Sequence, residues 1–370
     1  MPKQTEHQLR RNSNFLGDAK NLTRGSRALR LLGLILTVAV CLVVAASAHV
    51  YFSVQHAAEQ TYRQSGIAQS ATLIQQKRPV SILILGVDQG IENRHDRGNS
   101  DTMILATANP QKKKATLTSI PRDLLTDVLG DKGNKYYMSR VNASYEFGGS
   151  RGAVITTQAL LNVPVNYYME VNMKALESLV DAVGGVGVNV PFGFKYHTRF
   201  HKGHMHLNGK QALDYARMRK SDPKGDYGRQ TRQRQIILAV VHEAMSVKTV
   251  NNYRRILRVF AKYVKTNMTF SDMVGLAINY RDCTSTIDSG HIQGHDAWIG
   301  GAAMQVAPTK ELQRVSDLVR TNLDLKKERL RNQETRQNRL NRKHHLKWSD
   351  PTAFDNYIIY EEHSHQPWNG

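Results

Sequence analysis

Between Leu31 and Ala58 the chain carries no Lys, Arg, Asp or Glu. The first part of this stretch, LLGLILTVAVCLVVAASA (31–48), is almost wholly apolar and continues through Val50, Tyr51 and Phe52. A helix of about 20 such residues spans a bilayer. The run therefore constrains the chain more than any other feature, because it separates a short leading segment from everything after it. Ala46-Ser47-Ala48 resembles a signal-peptide cleavage site, but the apolar run is longer than a usual signal core and its leading segment is long, which favours a retained anchor.

Charge sets the direction. Arg24, Arg27 and Arg30 lie directly before the run, and the first basic residue beyond it is Arg63. By the positive-inside rule the N-terminus is cytoplasmic and the chain from about residue 55 lies outside, in a single-pass arrangement at the cell membrane. The expected organisation is a basic cytoplasmic tail (1–30), a transmembrane helix (31–54), a polar extracellular stalk (55–78), a catalytic-sized domain (79–325) and a basic tail (326–370), the last a solvated helix or disorder. Cys41 lies in the span and Cys283 is alone, so the outer part forms no internal disulfide.

The net charge of the 370 residues is +20, which calls for an anionic partner: nucleic acid, an acidic membrane or a phosphorylated substrate. Position separates these. Residues 1–30 contribute +5 and orient the anchor, whereas residues 195–234 contribute +8. An external domain has no access to chromosomal DNA, so no nucleic acid is expected.

Pro79 opens PVSILILGV, an unbroken apolar run that reads as a buried strand ending at Asp88. TMILATA (102–108) and ATLTSI (115–120) read as two more strands joined by a turn at Asn109-Pro110. MKALESLVDAV (173–183) has a helical period stopped by Gly184-Gly185, VGVNV (186–190) is a strand, and GKQALDYA (209–216) is a short helix capped by Asn208. Residues 229–245 and 252–265 read as longer helices. Strands mixed with helices predict helices covering a sheet.

If the strands at 80–87, 102–108 and 115–120 are adjacent and antiparallel, Asp88, Asp101 and Arg122 fall on one sheet edge. Two carboxylates and an arginine there suit a divalent cation and a phosphate. The alternative is that the two aspartates cap turns and Arg122 pairs with one of them. A second constellation lies in ALDYARMRKSDPKGDYGRQTRQRQ (212–235). Arg217 and Arg219 share a side if that stretch is extended. Arg229, Arg232 and Gln233, spaced i, i+3, i+4, share a face of a helix that begins near Asp226. Arginines clustered at a helix start oppose the helix dipole unless an anion sits among them. A diphosphate clamp satisfies this; a basic surface patch or internal ion pairs are the alternative. The run HTRFHKGHMH (197–206) admits zinc on composition alone but reads better as an exposed polar loop.

With these residues in view, the chain resembles the LytR–CpsA–Psr family of cell-envelope proteins. The matching stretches include ILILGVD (82–88), RGNSDTMILATANP (97–110), TSIPRD (118–123), SRVNASYEFGG (139–149) and LNGKQALDYARMRKSDPKGDYGRQTRQRQ (207–235), in family order. The resemblance implies an α/β fold, an α/β/α sandwich with a mixed central sheet and an apolar pocket for a lipid tail, behind one transmembrane helix. It implies a phosphotransferase that moves an anionic glycopolymer (teichoic acid, capsule or a related polysaccharide) from a polyprenyl-pyrophosphate carrier to peptidoglycan at the membrane. Family metal ligands fall on Asp88 and Asp101, which would hold Mg²⁺ (or Mn²⁺). Pyrophosphate-binding positions fall on Arg122, Arg217, Arg219, Arg229 and Gln233, with Arg232 secondary, and Asp88, Asp101 and Arg122 are the catalytic positions. Two other functions compete: a membrane-associated transcriptional attenuator, which requires a cytoplasmic domain, and a wall-binding scaffold without catalysis.

Overall fold

The apolar run at 80–87 becomes the centre of a six-stranded sheet. The computed structural model describes residue 52 and residues 72–87, 98–244, 253–361 and 366–367. The span expected at 31–54 lies outside these apart from Phe52, and no described helix is long and apolar enough to cross a membrane.

In chain order the elements are β1 (Val80–Val87), β2 (Ser100–Asn109), β3 (Lys114–Ile120), β4 (Leu125–Leu129), β5 (Lys135–Arg140), α1 (Ala143–Leu161), β6 (Tyr167–Asn172) and α2 (Met173–Val183). Then come β7 (Val186–Val190), β8 (Phe194–Lys195), β9 (Arg199–Phe200), β10 (Gly203–Leu207), α3 (Gly209–Arg217), α4 (Gly225–Ala244) and α5 (Tyr253–Tyr263). The chain continues through β11 (Val264–Thr266), α6 (Phe270–Asn279), β12 (Thr286–His291), β13 (His295–Ile299), β14 (Ala302–Val306), α7 (Thr309–Asn322) and α8 (Gln333–Lys343).

The sheet order is β11-β6-β1-β2-β3-β12. β1–β2–β3 are antiparallel neighbours, as the turn at 109–112 predicts, while β6 joins β1 and β12 joins β3 in parallel. The sheet is therefore mixed, in an α/β fold. Side chains alternate across it. One face sends Leu83, Leu85, Met103, Leu105 and Ile120 into the main core with residues of α1 and α7. The other face carries Ile82, Ile84, Ala106 and Met169, all only half-buried. On that face Ile82 and Met169 pack against the cluster of Ile74, Tyr167 and Met268, and Ile104, paired with Ile84, is fully buried, so the uncovered apolar surface centres on Ile84 and Ala106. A second core, built from α2, α3, α4, β7 and β10, lies around Val186, Tyr215 and Ile236.

Local signals place the helices. Asn172 caps α2 by accepting from the Ala175 amide at 2.7 Å, and Gly184 and Gly185, at φ 92° and 94°, end it. The cap expected at Asn208 is present as a reciprocal pair with Gln211, at 2.9 and 3.0 Å.

Both expected ends of the domain need correction. Residues 72–78, assigned to the stalk, belong to the fold: Ile74 is fully buried with Tyr167, Met268 and Tyr280. The segment after 326, expected to be solvated or disordered, is packed against β4 and the β13–β14 hairpin. Phe354 and Tyr357 join Leu125, Ala297, Ile299 and Val306 in a separate apolar cluster. Helix α8 is fastened mostly by polar groups, which is why it lacks an apolar signature. Asn338 donates to the Ala307 carbonyl at 2.9 Å and accepts from the Tyr357 hydroxyl at 2.8 Å. Buried Glu334 accepts from the Thr126 hydroxyl and, at 2.9 Å, from the Asp127 amide.

Burial pushes the Glu334 carboxyl above its ordinary pKa, against the pull of those two donors. A carboxyl raised in this way holds its proton longer in the folded state. Its contribution is complete below the unfolded pKa and is lost as pH rises through the folded value. Glu334→Gln keeps the accepting oxygen, so it is expected to raise the melting temperature at pH 8 while leaving it almost unchanged at pH 4. Glu334→Ala, which strands both donors, is expected to cost about 1–3 kcal/mol. Thermal unfolding of both variants at the two pH values checks this.

Candidate functional site

The antiparallel order of β1, β2 and β3 brings the exit of β1, the entry of β2 and the exit of β3 to one rim. The last residue of β1, Val87, pairs with Ser100. Asp88, the next residue, lies outside the described residues. Asp101 is the second residue of β2, and Arg122 lies two residues past β3. The guanidinium of Arg122 meets Asp101 with Nη1 2.6 Å from Oδ1, and its Nε lies 3.5 Å from Asp123. Burial works against the Arg122 charge. The hydrogen bond to Asp101 and the fields of Asp123, Asp101 and Asp226 outweigh it and raise the pKa further above the ordinary arginine value.

The second constellation closes on this rim from α4. Asp226, in the first turn of α4, lies 2.8 Å from Arg229 Nη2 and 3.7 Å from Arg219 Nε. Burial lowers the pKa of Arg229; Asp226 opposes this, and the neighbouring charge of Arg122 adds to it. Asp101, Arg122, Asp226, Arg229 and Arg219 are thus one electrostatic group. Among the described residues, the buried Nε of Arg122 and of Arg229 have no hydrogen-bond partner, nor has the buried Ser100 hydroxyl. Both Nε atoms are sealed, that of Arg122 toward Asp123, so an anion at the rim would be met by the outer nitrogens of these guanidinium groups and by exposed Arg217 and Arg219.

Arg217 and Arg219 are both exposed and flank buried Met218, whose extended backbone (ψ 133°) sets them on one side, as alternation predicts. Arg217 makes no ion pair or hydrogen bond among the described residues. Gln233 is buried one turn beyond Arg229 on the same face of α4.

Arg232 departs from the expected arrangement. It is 1% exposed, and its guanidinium turns away from Arg229 and Gln233 into the joint between α3 and α4. There Nε donates to the Tyr215 carbonyl at 2.9 Å, Nη1 pairs with Asp222 and Nη2 donates to the Met218 carbonyl. The guanidinium lies 5.7 and 5.8 Å from the ring centres of Phe194 and Tyr215. Arg232 is therefore a clamp on the loop that carries Arg219, with no donor facing the rim. Gly228 makes room for it, since a Cβ there would lie 1.9 Å from Asp222 Oδ2.

Three residues escaped the sequence reading: Asp226, Asp222 and Gly228. The i, i+3 spacing of Asp226 and Arg229 was the available signal for the first. The anion required among the arginines is thus supplied in part by the chain itself. The histidine run forms β9, β10 and the turn between them, and His206 reaches the Gly184 carbonyl at 3.1 Å. Among the described residues no group of three or more His, Cys, Asp or Glu is arranged to hold a metal. Asp101 has oxygen donors suited to a hard cation, and its Oδ2 has no partner among the described residues.

Breaking a buried ion pair from one side leaves an unpaired charge and costs about 3–5 kcal/mol. Arg232→Ala is expected to lower unfolding free energy by that order, while Arg217→Ala leaves it within about 0.5 kcal/mol. Urea unfolding followed by circular dichroism distinguishes the two.

The LytR_cpsA_psr family model matches residues 46–321. The polyisoprenyl-teichoic acid–peptidoglycan teichoic acid transferase TagU of Enterococcus faecalis is 36% identical over 307 residues, covering 82% of this chain and all of that protein. The crystal structure of protein gbs0355 from Streptococcus agalactiae is similar at a TM-score of 0.65 and 35% identity, covering 72% of this chain and 94% of that one. A structure of TagT bound to LIIa-WTA is similar at a TM-score of 0.56 and 26% identity, covering 67% and 92%.

Proposed function

The chain belongs to the LytR–CpsA–Psr family, and we propose that it is the phosphotransferase which moves an anionic glycopolymer from a polyprenyl diphosphate carrier to peptidoglycan. The observation that carries this is the group Asp101, Arg122, Asp226, Arg229 and Arg219 at the rim, with exposed Arg217 alongside. Its relatives include teichoic acid transferases. On the sheet face opposite the main core, half-buried Ile84 and Ala106 offer apolar surface to a polyprenyl tail. A diphosphate joined to a long hydrocarbon needs both kinds of surface.

In the proposed reaction an acceptor hydroxyl attacks the phosphorus attached to the glycan. A new P–O bond forms to the acceptor, and the bond to the bridging oxygen breaks. That oxygen leaves with polyprenyl phosphate, and the hydroxyl proton passes to a rim carboxylate or to water. Arg122 and Arg229 are placed to grip the diphosphate as its charge redistributes, and exposed Arg217 and Arg219 close over it. Gln233, buried on the same helix face as Arg229, contributes an amide beside the group. The pair with Asp101 aims Arg122, and Asp226 holds Arg229 and Arg219 together. Mg²⁺ or Mn²⁺ held by Asp101 and Asp88 would neutralise phosphoryl charge and polarise a phosphoryl oxygen.

The uncharged stretch 31–54 and its arginine flank support a single-pass anchor with the catalytic domain outside the cell membrane. Protease added to intact cells is then expected to cleave within residues 79–325. Full protection would exclude the external reaction and favour the attenuator reading, to which the +20 charge would otherwise lend weight.

With a synthetic polyprenyl-diphosphate glycan and peptidoglycan, release of polyprenyl phosphate measures transfer. Arg217→Ala and Asp101→Ala are each expected to reduce it at least 100-fold while the protein stays folded. Chelation by EDTA is expected to abolish it, and Mg²⁺ or Mn²⁺ to restore it. Wild-type rates in either variant would overturn the site assignment, and no release from wild type would favour the scaffold reading.

A further inference from the structure

The family match ends at residue 321, yet the ordered segment beyond it builds a cavity of its own. Its volume is about 540 Å³, and five arginines line it: Arg329, Arg331, Arg336, Arg339 and Arg342. Among the described residues no Asp or Glu lines it. Among the described residues the guanidinium groups of Arg329, Arg331, Arg339 and Arg342 make no ion pair or hydrogen bond; Arg342 lies 5.9 Å from the Trp348 ring centre. Nearby acids are committed elsewhere. Glu328 binds Arg320 at 2.6 Å, and Glu334 is buried against Thr126 and Asp127.

Like charges gathered in one wall repel one another, and among the described residues no lining carboxylate offsets Arg329, Arg331, Arg339 and Arg342. The wall is nonetheless fixed. Leu330 is buried, and Asn338 ties α8 to the start of α7 through Ala307 and Thr309. Buried Glu334 ties the same helix to β4, which begins three residues after Arg122. Arg336, Arg339 and Arg342 recur every third residue, so they form a row about 9 Å long on one broad side of α8. A row suits a chain of spaced anions better than a single ion, and the arginine fork suits phosphodiester oxygens.

We propose that this cavity is a docking site for the phosphodiester backbone of the anionic glycopolymer, away from the diphosphate that the rim engages. The inference rests on the proposed function for the nature of the polymer. A membrane surface fits less well. The site is concave, and its one apolar lining residue, Leu330, is buried rather than available to insert into lipid. The cavity would hold the polymer as its carrier end enters the rim, favouring long, highly phosphorylated glycans over short neutral ones.

The test uses the full-length protein in detergent and a lipid-free poly(glycerol phosphate), which lacks the diphosphate and so bypasses the rim. Wild type is expected to bind it, and Arg331→Gln/Arg339→Gln to bind at least tenfold more weakly. Lys327→Gln/Lys343→Gln removes the same charge from exposed positions outside the cavity and is expected to change affinity less than threefold. Equal affinity in wild type and the arginine variant, equal weakening in both double variants, or binding by wild type only to phosphatidylglycerol vesicles would each overturn the proposal. Transfer from a polyprenyl-diphosphate donor with a short neutral glycan is measured in parallel. The arginine variant is expected to retain it, and its absence from wild type would count against the transferase reading while leaving the docking result to stand by itself.

Discussion

The buried pair of Arg232 and Asp222 sets the position of the other basic groups in this half of the molecule. Two opposite charges removed from water are stabilising only with close geometry and further hydrogen bonds. Here the guanidinium also satisfies the carbonyls of Tyr215 and Met218 and lies near two aromatic rings. The result is a rigid joint between α3 and α4. Arg217 and Arg219 lie on the α3 side of it, and Asp226 and Arg229 on the α4 side. The joint adds to the apolar contacts of the second core, where Ala212 and Tyr215 of α3 meet Ile236 of α4, and fixes the arginines against their mutual repulsion. Gly228 belongs to the same device, because any side chain there would displace the Asp222 carboxylate.

The two faces of the central sheet serve different purposes. Leu83, Leu85, Met103 and Leu105 are sealed under helices and supply stability. On the other face Ile82 and Met169 pack against the Ile74 cluster, while Ile84 and Ala106 are left half-covered, an arrangement that forgoes some burial free energy. Apolar surface of this kind, in a domain with an arginine rim, matches an amphiphile whose charged and hydrocarbon parts are joined covalently. The pleat alone generates this division, since successive residues of β1 point to opposite sides.

Much of this was legible in the sequence where a local rule decided the outcome. The unbroken run at 79–87, the Asn208 cap and the Gly184-Gly185 stop each correspond to an observed element, and antiparallel pairing places Asp101 beside Arg122. Failures came where the deciding contact was distant or polar. Arg232 shares a helical face with Arg229 and Gln233 by spacing, but its long side chain is drawn aside by Asp222, ten residues earlier in a loop. Asp226 is one acid among many bases, so composition does not mark it; its distances to Arg229 and Arg219 do. The tail after 326 is poor in apolar residues, and the amides of Gln337, Asn338 and Asn341 that bury it are indistinguishable by composition from those of a solvated helix.

The fastening of α8 to β4 joins Thr126 to Glu334 across 208 positions of sequence. A contact so remote is among the last that chain entropy allows to form. Until the final forty or so residues arrive, the apolar side chains of Leu125, Ala297, Ile299 and Val306 lack the cover of Phe354 and Tyr357. The C-terminal segment thus completes the cover of a cluster that β4 and the β13–β14 hairpin leave open. A shortened chain would carry an exposed apolar patch a few residues from Arg122, a surface prone to self-association.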